Sequence, residues 1–310
     1  MSPLHGIVTI DTGYQRPQFC AAYLIVERGR AAFVDCGTNH SVPRLLAALQ
    51  AQGLAADAVD RVILTHVHLD HAGGAGALLR ELPNARLVVH PRGAPHMIDP
   101  SRLVASARAV YGDAEFSASY GELVPVPEAR VEEAADGHVV DLAGRPLLCA
   151  DTPGHARHHL AVWDARSRSW FAGDIFGLSY RELDTARGAF AIPTTSPVQF
   201  DPEQMRASVR RMLGEAPEAV FVTHYGRVAD VQRLGADLIA QVEAMVDAAR
   251  ALADDPHRHQ RLVEALQRLY VERAQRHGVA DARQRVPELL GMDIELNAQG
   301  LEVWLDRDRA

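Results

Sequence analysis

The chain has 310 residues, 47% of them hydrophobic, and a formal net charge of −8. That is ample apolar material for one large domain with an appendage, or for two domains. The acidic balance argues against nucleic acid or an anionic membrane as the main partner. The three cysteines, Cys20, Cys36 and Cys149, are far apart and odd in number. No disulfide framework or zinc ribbon is expected from them, and a reducing cytoplasm fits.

Met1-Ser2-Pro3-Leu4-His5-Gly6 has no basic region followed by an apolar core, so it is not read as a signal peptide. No apolar run is long enough to span a membrane. Residues 6–36 read as strands, with Glu27-Arg28-Gly29-Arg30 as a hairpin turn between Cys20–Val26 and Ala31–Asp35. Ser41 then reads as the cap of a helix reaching Gln52, with Leu45, Leu46 and Leu49 on its apolar face.

Arg61-Val62-Ile63-Leu64 reads as a buried strand, and Ala75–Leu79 as the start of a helix. Between them stands Thr65-His66-Val67-His68-Leu69-Asp70-His71-Ala72-Gly73-Gly74. On extended backbone His66 and His68 leave the same side, so their rings can converge on one metal ion. Asp70 and His71 lie where the chain turns and can address a second ion. Imidazole and carboxylate donors suit zinc, and also iron and manganese. The two glycines let backbone pass close to the metals.

Arg86–His90 is another strand. Prolines at 91, 95, 100, 125 and 127 then break the pattern, with helical pieces near 103–111. Residues 91–137 read as an insertion, either a substrate-shaping lid or a surface excursion. Strands resume at 139–142, 146–150, 160–163 and 170–172. His155 follows a Pro-Gly turn, Asp174 ends a strand, and His224 ends the run Ala219–Thr223. Four strand ends thus deliver His, Asp or both. Interleaved strands and helices argue for sheet layers covered by helices. Residues 197–216 form a helix opening at Asp201-Pro202. Helical spacing runs through 229–276, interrupted at Pro256; Pro287 opens a third piece, and the partly apolar 296–305 packs back. Arg258, Arg261, Arg268, Arg273 and Arg276 alternate with acids and read as a solvated face.

The motifs THVHLDHAGG, TPGHARHH, FAGDIF and VTHYG, in that order over residues 6–226, resemble the metallo-β-lactamase superfamily of metal-dependent hydrolases. The resemblance implies an α/β fold, a four-layered αββα sandwich over residues 1–228 with 91–137 inserted, followed by a helical C-terminal region, 229–310. It implies two divalent cations, zinc first with manganese or iron as alternatives. By motif, His66, His68 and His155 would hold the first; Asp70, His71 and His224 the second; Asp174 would bridge them. Asp35 matches the family's Asp-x-Gly turn and is read either as orienting a ligand histidine or as a plain turn residue.

His159 is read as buried and structural rather than a ligand. His90, His96 and His158 are not read as ligands, and Tyr180 and Tyr225 are read as packing residues placed where they could also meet an oxyanion. Gly74 and Gly76 lack the further glycine or lysine of a phosphate loop. Cys36 reads as buried and inert. The chemistry implied is hydrolysis of a small thioester, ester or lactone by a metal-bridging hydroxide, with Asp70 orienting the nucleophile. No G-x-S-x-G elbow offers a serine nucleophile.

A β-lactamase is disfavoured, because Asp174 stands where those enzymes carry cysteine or serine. The alternatives are a mononuclear iron enzyme resembling persulfide dioxygenases, or a non-catalytic metal-containing sensor or effector. The expected partner is a small-molecule substrate rather than nucleic acid or membrane. The helical end is left open between packing with homodimerisation and covering the site as in glyoxalase II-like thioesterases.

Overall fold

A computed structural model of the chain describes residues 4–195 and 198–309. Residues 1–3 of the opening segment, and 196–197 at the start of the helix expected over 197–216, lie outside the described residues. Two interleaved units emerge. The first comprises Met1–Asp151, His158–Gly173 and Phe221–Arg227; the second comprises Thr152–Arg157, Asp174–Val220 and Val228–Ala310.

The first unit begins with β1 (Ile7–Asp11), β2 (Ala21–Glu27) and β3 (Arg30–Val34), then α1 (Val42–Ala51) and β4 (Val59–Ile63). Glu27 and Arg30 pair across the β2–β3 turn, and Arg28 and Gly29 both have positive φ, the geometry that lets a two-residue loop follow strand twist. Next come α2 (Leu69–Ala72), α3 (Ala75–Glu81), β5 (Arg86–Val89), α4 (Ala94–Ile98), α5 (Ser101–Tyr111), α6 (Asp113–Tyr120) and β6 (Val131–Glu133). The first sheet runs β1-β2-β3-β4-β5-β6, antiparallel to β3 and parallel after it.

The second sheet contains β7 (Val139–Leu142), β8 (Arg145–Asp151), β9 (Leu160–Asp164), β10 (Ser169–Gly173), β11 (Ala219–Val222) and β12 (Gly226–Val228), in the order β12-β11-β10-β9-β8-β7. Alternation sorts the first sheet's side chains. Leu24, Phe33, Val62 and Leu87 pack with Leu45 and Leu49 of α1 and Leu78 and Leu79 of α3. Tyr23, Ile25, Val34 and Ile63 face Leu147, Leu160, Val162 and Phe171 of the second sheet. Helices, sheet and sheet form successive layers here, as strands with period-two burial require.

Three local expectations are corrected. The 91–137 stretch is not all excursion: its end supplies β6, parallel to β5. A three-residue edge strand carrying Glu132 and Glu133 has no apolar run to announce it. The side chain of Ser41 does not cap α1. A short 3-10 turn precedes the helix, capped by Thr38, and Ser41 Oγ accepts instead from the Thr38 amide at 3.1 Å. The last helix also starts before Pro287, which lies inside it.

The second unit holds α7 (Pro202–Gly214), α8 (Val231–Ala251), α9 (Arg258–His277) and α10 (Ala282–Arg309). Asp201 caps α7 by accepting from the Gln204 amide at 3.0 Å, with Pro202 at the first position. Leu234, Leu238, Val242 and Met245 of α8, Leu262 and Leu266 of α9, and Val286, Leu290 and Ile294 of α10 are buried at helical spacing. Among the described residues no helix is long and apolar enough to cross a membrane.

The first unit also buries an ion pair. Arg145 reaches Asp164 through two nitrogens, with Nε–Oδ1 at 3.0 Å, and donates to the His5 carbonyl at 2.7 Å. Burial pushes the Asp164 carboxyl up, but hydrogen bonds from Arg145 and Ser167 outweigh it and hold it below the ordinary carboxylate value. Its stabilisation is therefore present above about pH 3.9 and is lost as pH falls through the lower folded value. Asp164→Asn removes the nearer carboxylate from Arg145 and leaves Glu27 Oε2 3.7 Å from its Nη1, so it is expected to cost about 1–3 kcal/mol of unfolding free energy. Urea denaturation at neutral pH checks this; a loss under about 1 kcal/mol would mean that the pair contributes little.

Candidate metal centre

The site is built where strand ends meet. Thr65 bends the chain as it leaves β4, His68 is extended, and α2 then turns Asp70 and His71 back. His66 and His71 are fully buried, while the Asp70 side chain keeps 22% of its surface open. The rings of His66 and His71 lie 4.1 Å apart by centroid, and His66 Nε2 is 2.9 Å from His68 Nδ1. His224, at the end of β11, brings its ring 5.6 Å from that of His71.

One carboxylate organises these groups. Asp35 ends β3 in the left-handed region, φ 55°, and is 1% exposed. Its Oδ1 accepts from the Thr65 amide at 2.8 Å. Its Oδ2 accepts from Thr65 Oγ1 at 2.9 Å, from Thr223 Oγ1 at 3.1 Å and from His71 Nδ1 at 2.9 Å. Asp35 thus contacts a histidine of the cluster as well as closing its turn. With Nδ1–H given to Asp35, His71 keeps a lone pair on Nε2, which faces Asp70 Oδ2 at 3.6 Å.

His224 repeats the device. Its Nδ1 donates to the Phe19 carbonyl at 2.8 Å, leaving Nε2 3.2 Å from Asp70 Oδ2. In the second unit, His155 Nδ1 donates to the Thr194 carbonyl at 3.2 Å and leaves Nε2 3.4 Å from Asp174 Oδ2.

Each of these contacts sets an acceptor nitrogen against an acceptor oxygen, which is favourable only with a cation or a proton between them. Donors at about 2.0–2.2 Å from a tetrahedral zinc stand about 3.3–3.6 Å apart, close to the 3.6, 3.2 and 3.4 Å separations here. The residues therefore fit divalent cations. His66, His68, Asp70, His71 and His224 are brought together in the first unit, and His155 with Asp174 in the second.

The remaining expectations divide. His159 is fully buried with its ring stacked 5.0 Å from His66. A Cβ at Gly173, φ 51°, would lie 2.6 Å from Thr65 Oγ1 and 2.7 Å from His159 Nε2, so this position admits only glycine. His158 lies 6.3 Å from His66 and 6.4 Å from His96 by ring centroids. His90 sits 3.4 Å from Asp151. Tyr180 is buried and donates to Asp293 at 3.3 Å, while Tyr225 packs on the core between the sheets.

Burial pushes the Cys36 thiol well up, helped by Asp35. Gly74 serves packing rather than close approach to metal: a Cβ there would meet the Thr38 carbonyl oxygen at 2.6 Å. Cys20 was missed. It groups with Asp70 and His224, their donor atoms within 4.8 Å, but its Sγ donates to the Asp70 carbonyl at 3.3 Å and so holds that turn. No spacing ties residue 20 to the histidine stretch.

Strand-end histidines and aspartates on layered sheets make a candidate metal-binding site on an α/β protein. Residues 16–224 match the metallo-beta-lactamase superfamily, and the chain belongs to it. It is 28% identical over 231 residues, 73% of this chain and 80% of the other, to the metallo-beta-lactamase fold-containing protein ST1585 of Sulfurisphaera tokodaii. A hydroxyacylglutathione hydrolase of Stenotrophomonas maltophilia is 32% identical over 161 residues, 52% of this chain and 47% of that one. In structure the chain resembles the metallo-beta-lactamase family protein TTHA1429 of Thermus thermophilus, with TM-score 0.70, 21% identity, and coverage of 99% of this chain and 95% of that one. The fold is thus the α/β sandwich of this superfamily with a helical C-terminal region.

Asp35→Asn keeps the shape but removes the charge that orients His71. Metal affinity is expected to fall about 10–100-fold, as read by competition with a chromophoric chelator. Unchanged affinity would reduce Asp35 to a turn residue.

Proposed function

We propose that the protein is a dinuclear metal-dependent hydrolase acting on the carbonyl of a small thioester, ester or lactone. His66, His68 and His155 are taken as donors to one cation, Asp70, His71 and His224 as donors to the other, and Asp174 as the bridge. The observation that carries the reading is Asp70 Oδ2 facing the lone-pair nitrogens of His71 and His224, at 3.6 and 3.2 Å. The hydroxyacylglutathione hydrolases among the relatives support a thioester or ester. Superfamily membership alone supports a metal-dependent hydrolase more broadly.

Bound divalent cations lower the pKa of water toward neutrality and polarise a carbonyl oxygen. The chain's own groups do the rest. Asp70 is a donor with part of its surface open, so its carboxylate can accept a hydrogen bond from the attacking water and aim it at the carbonyl carbon. His71 and His224 keep their Nε2 lone pairs inward because their Nδ1 protons are committed to Asp35 and to the Phe19 carbonyl. Neither ring can rotate away without stranding a buried partner. The cytoplasm is proposed as the setting, since all three cysteines are free and buried and none needs an oxidising compartment.

Elemental analysis of purified protein is expected to give two zinc or manganese per chain. Turnover is expected on a panel of S-acyl thioesters, esters and lactones, and not on phosphodiesters. Asp70→Asn, assayed at matched metal content, should cut that turnover by at least about a hundredfold. Wild-type rates in that variant would remove Asp70 from the chemistry. One iron per chain with no ester turnover would replace this reading by the persulfide-dioxygenase-like one, and an inert panel on fully loaded protein would favour an effector.

A further inference from the structure

The arginines of α9 are, with one exception, the salt-bridged surface face that their spacing suggests. Arg258 pairs with Asp306 and Glu302, Arg261 lies beside Asp255, Arg268 beside Glu264, and Arg276 beside Glu272. Arg273 breaks the series. It is half-buried, its Nε is shut away from solvent, and its guanidinium has no hydrogen-bond or ion-pair partner among the described residues. Burial holds its pKa below the ordinary arginine value, against the pull of Asp237. Leaving a guanidinium half-desolvated and unpaired is costly, and the cost is removed when an anion arrives.

The space for one is present. Arg273 lines a cavity of about 230 Å³ in the second unit, together with Arg187, Arg233, Arg276 and His277. Arg233 is matched by Asp230 and Asp237, and Arg276 by Glu272, whereas among the described residues the Arg187 guanidinium donates only to the uncharged Arg276 carbonyl, at 2.6 Å. Four guanidinium charges thus face three carboxylates. The same wall carries Gln241, 1% exposed. Its Nε2 donates to the Ala191 carbonyl at 2.9 Å, while its buried Oε1 accepts from nothing among the described residues. A donor fork and an unused acceptor therefore line one wall. The volume suits a molecule on the order of ten non-hydrogen atoms.

We propose that this cavity binds a small phosphate monoester carrying a hydroxyl group, its phosphate on Arg273 among the neighbouring arginines and its hydroxyl donating to Gln241 Oε1. Guanidinium forks match phosphate oxygens in pairs, and a phosphate offers several neighbouring arginines more acceptor oxygens than a carboxylate does. The site stands on α8, α9 and the loop at 187–191, and does not depend on the hydrolase reading.

Isothermal titration of metal-loaded protein tests it, with glycerol 2-phosphate, inorganic phosphate and glycerate as probes. Saturable binding is expected, with glycerol 2-phosphate tightest. Arg273→Ala should weaken both phosphates by at least about tenfold, with Arg273→Lys recovering part of the loss. Gln241→Leu should abolish the preference for glycerol 2-phosphate over inorganic phosphate and leave the latter's affinity unchanged; Gln241→Glu, which keeps the hydrogen-bonding shape but adds a negative charge, should weaken both. Far-UV circular dichroism confirms that each variant folds. No saturable binding below about 10 mM, an affinity weaker than about 3 kcal/mol, would overturn the proposal. So would equal affinity in Arg273→Ala, which would put phosphate elsewhere, bound cations included. Glycerate as the tightest probe would overturn the phosphate assignment.

Discussion

The Asp35 carboxylate is the constraint on which the candidate metal centre of the first unit depends. It is buried, it carries a charge, and its neighbours are hydrogen-bond donors: the Thr65 amide and hydroxyl, the Thr223 hydroxyl and the His71 ring. A buried carboxylate is tolerable only when such donors are in place. The dependence runs both ways. The donors come from the end of β4, from α2 and from the end of β11, so satisfying one charge draws three separate parts of the chain to one point. The backbone of Asp35 itself adopts the left-handed region that aspartate tolerates better than most residues.

The same logic orients the other histidines, with backbone carbonyls in place of the carboxylate. Phe19 holds His224 and Thr194 holds His155. The Thr194 segment is in turn secured by Asn297 of α10, fully buried, which accepts from the Thr195 amide at 2.8 Å and donates to the Pro193 carbonyl at 2.9 Å and to Tyr270 Oη at 3.0 Å. The helical C-terminal region therefore does more than pack. Through Asn297 it fixes the loop that sets one histidine's tautomer, and so which nitrogen that ring offers to a cation.

The second unit also shows how far a charge pattern can be read without coordinates. Along α9 the alternation of arginine and acid correctly describes Arg258, Arg261, Arg268 and Arg276. Arg273 has no acid three or four residues away, where Arg268 has Glu264 and Arg276 has Glu272, and its helix face meets α8 at Asp237 and Gln241. The missing helical partner is visible in the sequence; the half-burial of the guanidinium against α8 is a property no window of sequence contains.

Much was legible in the order of residues. Period-two apolar runs placed the strands, Asp201-Pro202 placed the start of α7, and leucine spacing placed α8 and α9, because each depends on neighbours within one turn or one pleat. The donor types at strand ends were legible for the same reason: His66, His68, Asp70 and His71 lie within six residues, and motif order supplied His155, Asp174 and His224. β6, the Thr38 cap, the start of α10 ahead of Pro287 and the part played by Cys20 were not. By itself, then, the sequence determined most of the elements and which side chains are candidates to meet a metal. Only the tertiary structure decided how those side chains are aimed, because a hydrogen bond such as that between Thr223 and Asp35, 188 residues apart, follows no periodicity and exists only once the core has closed.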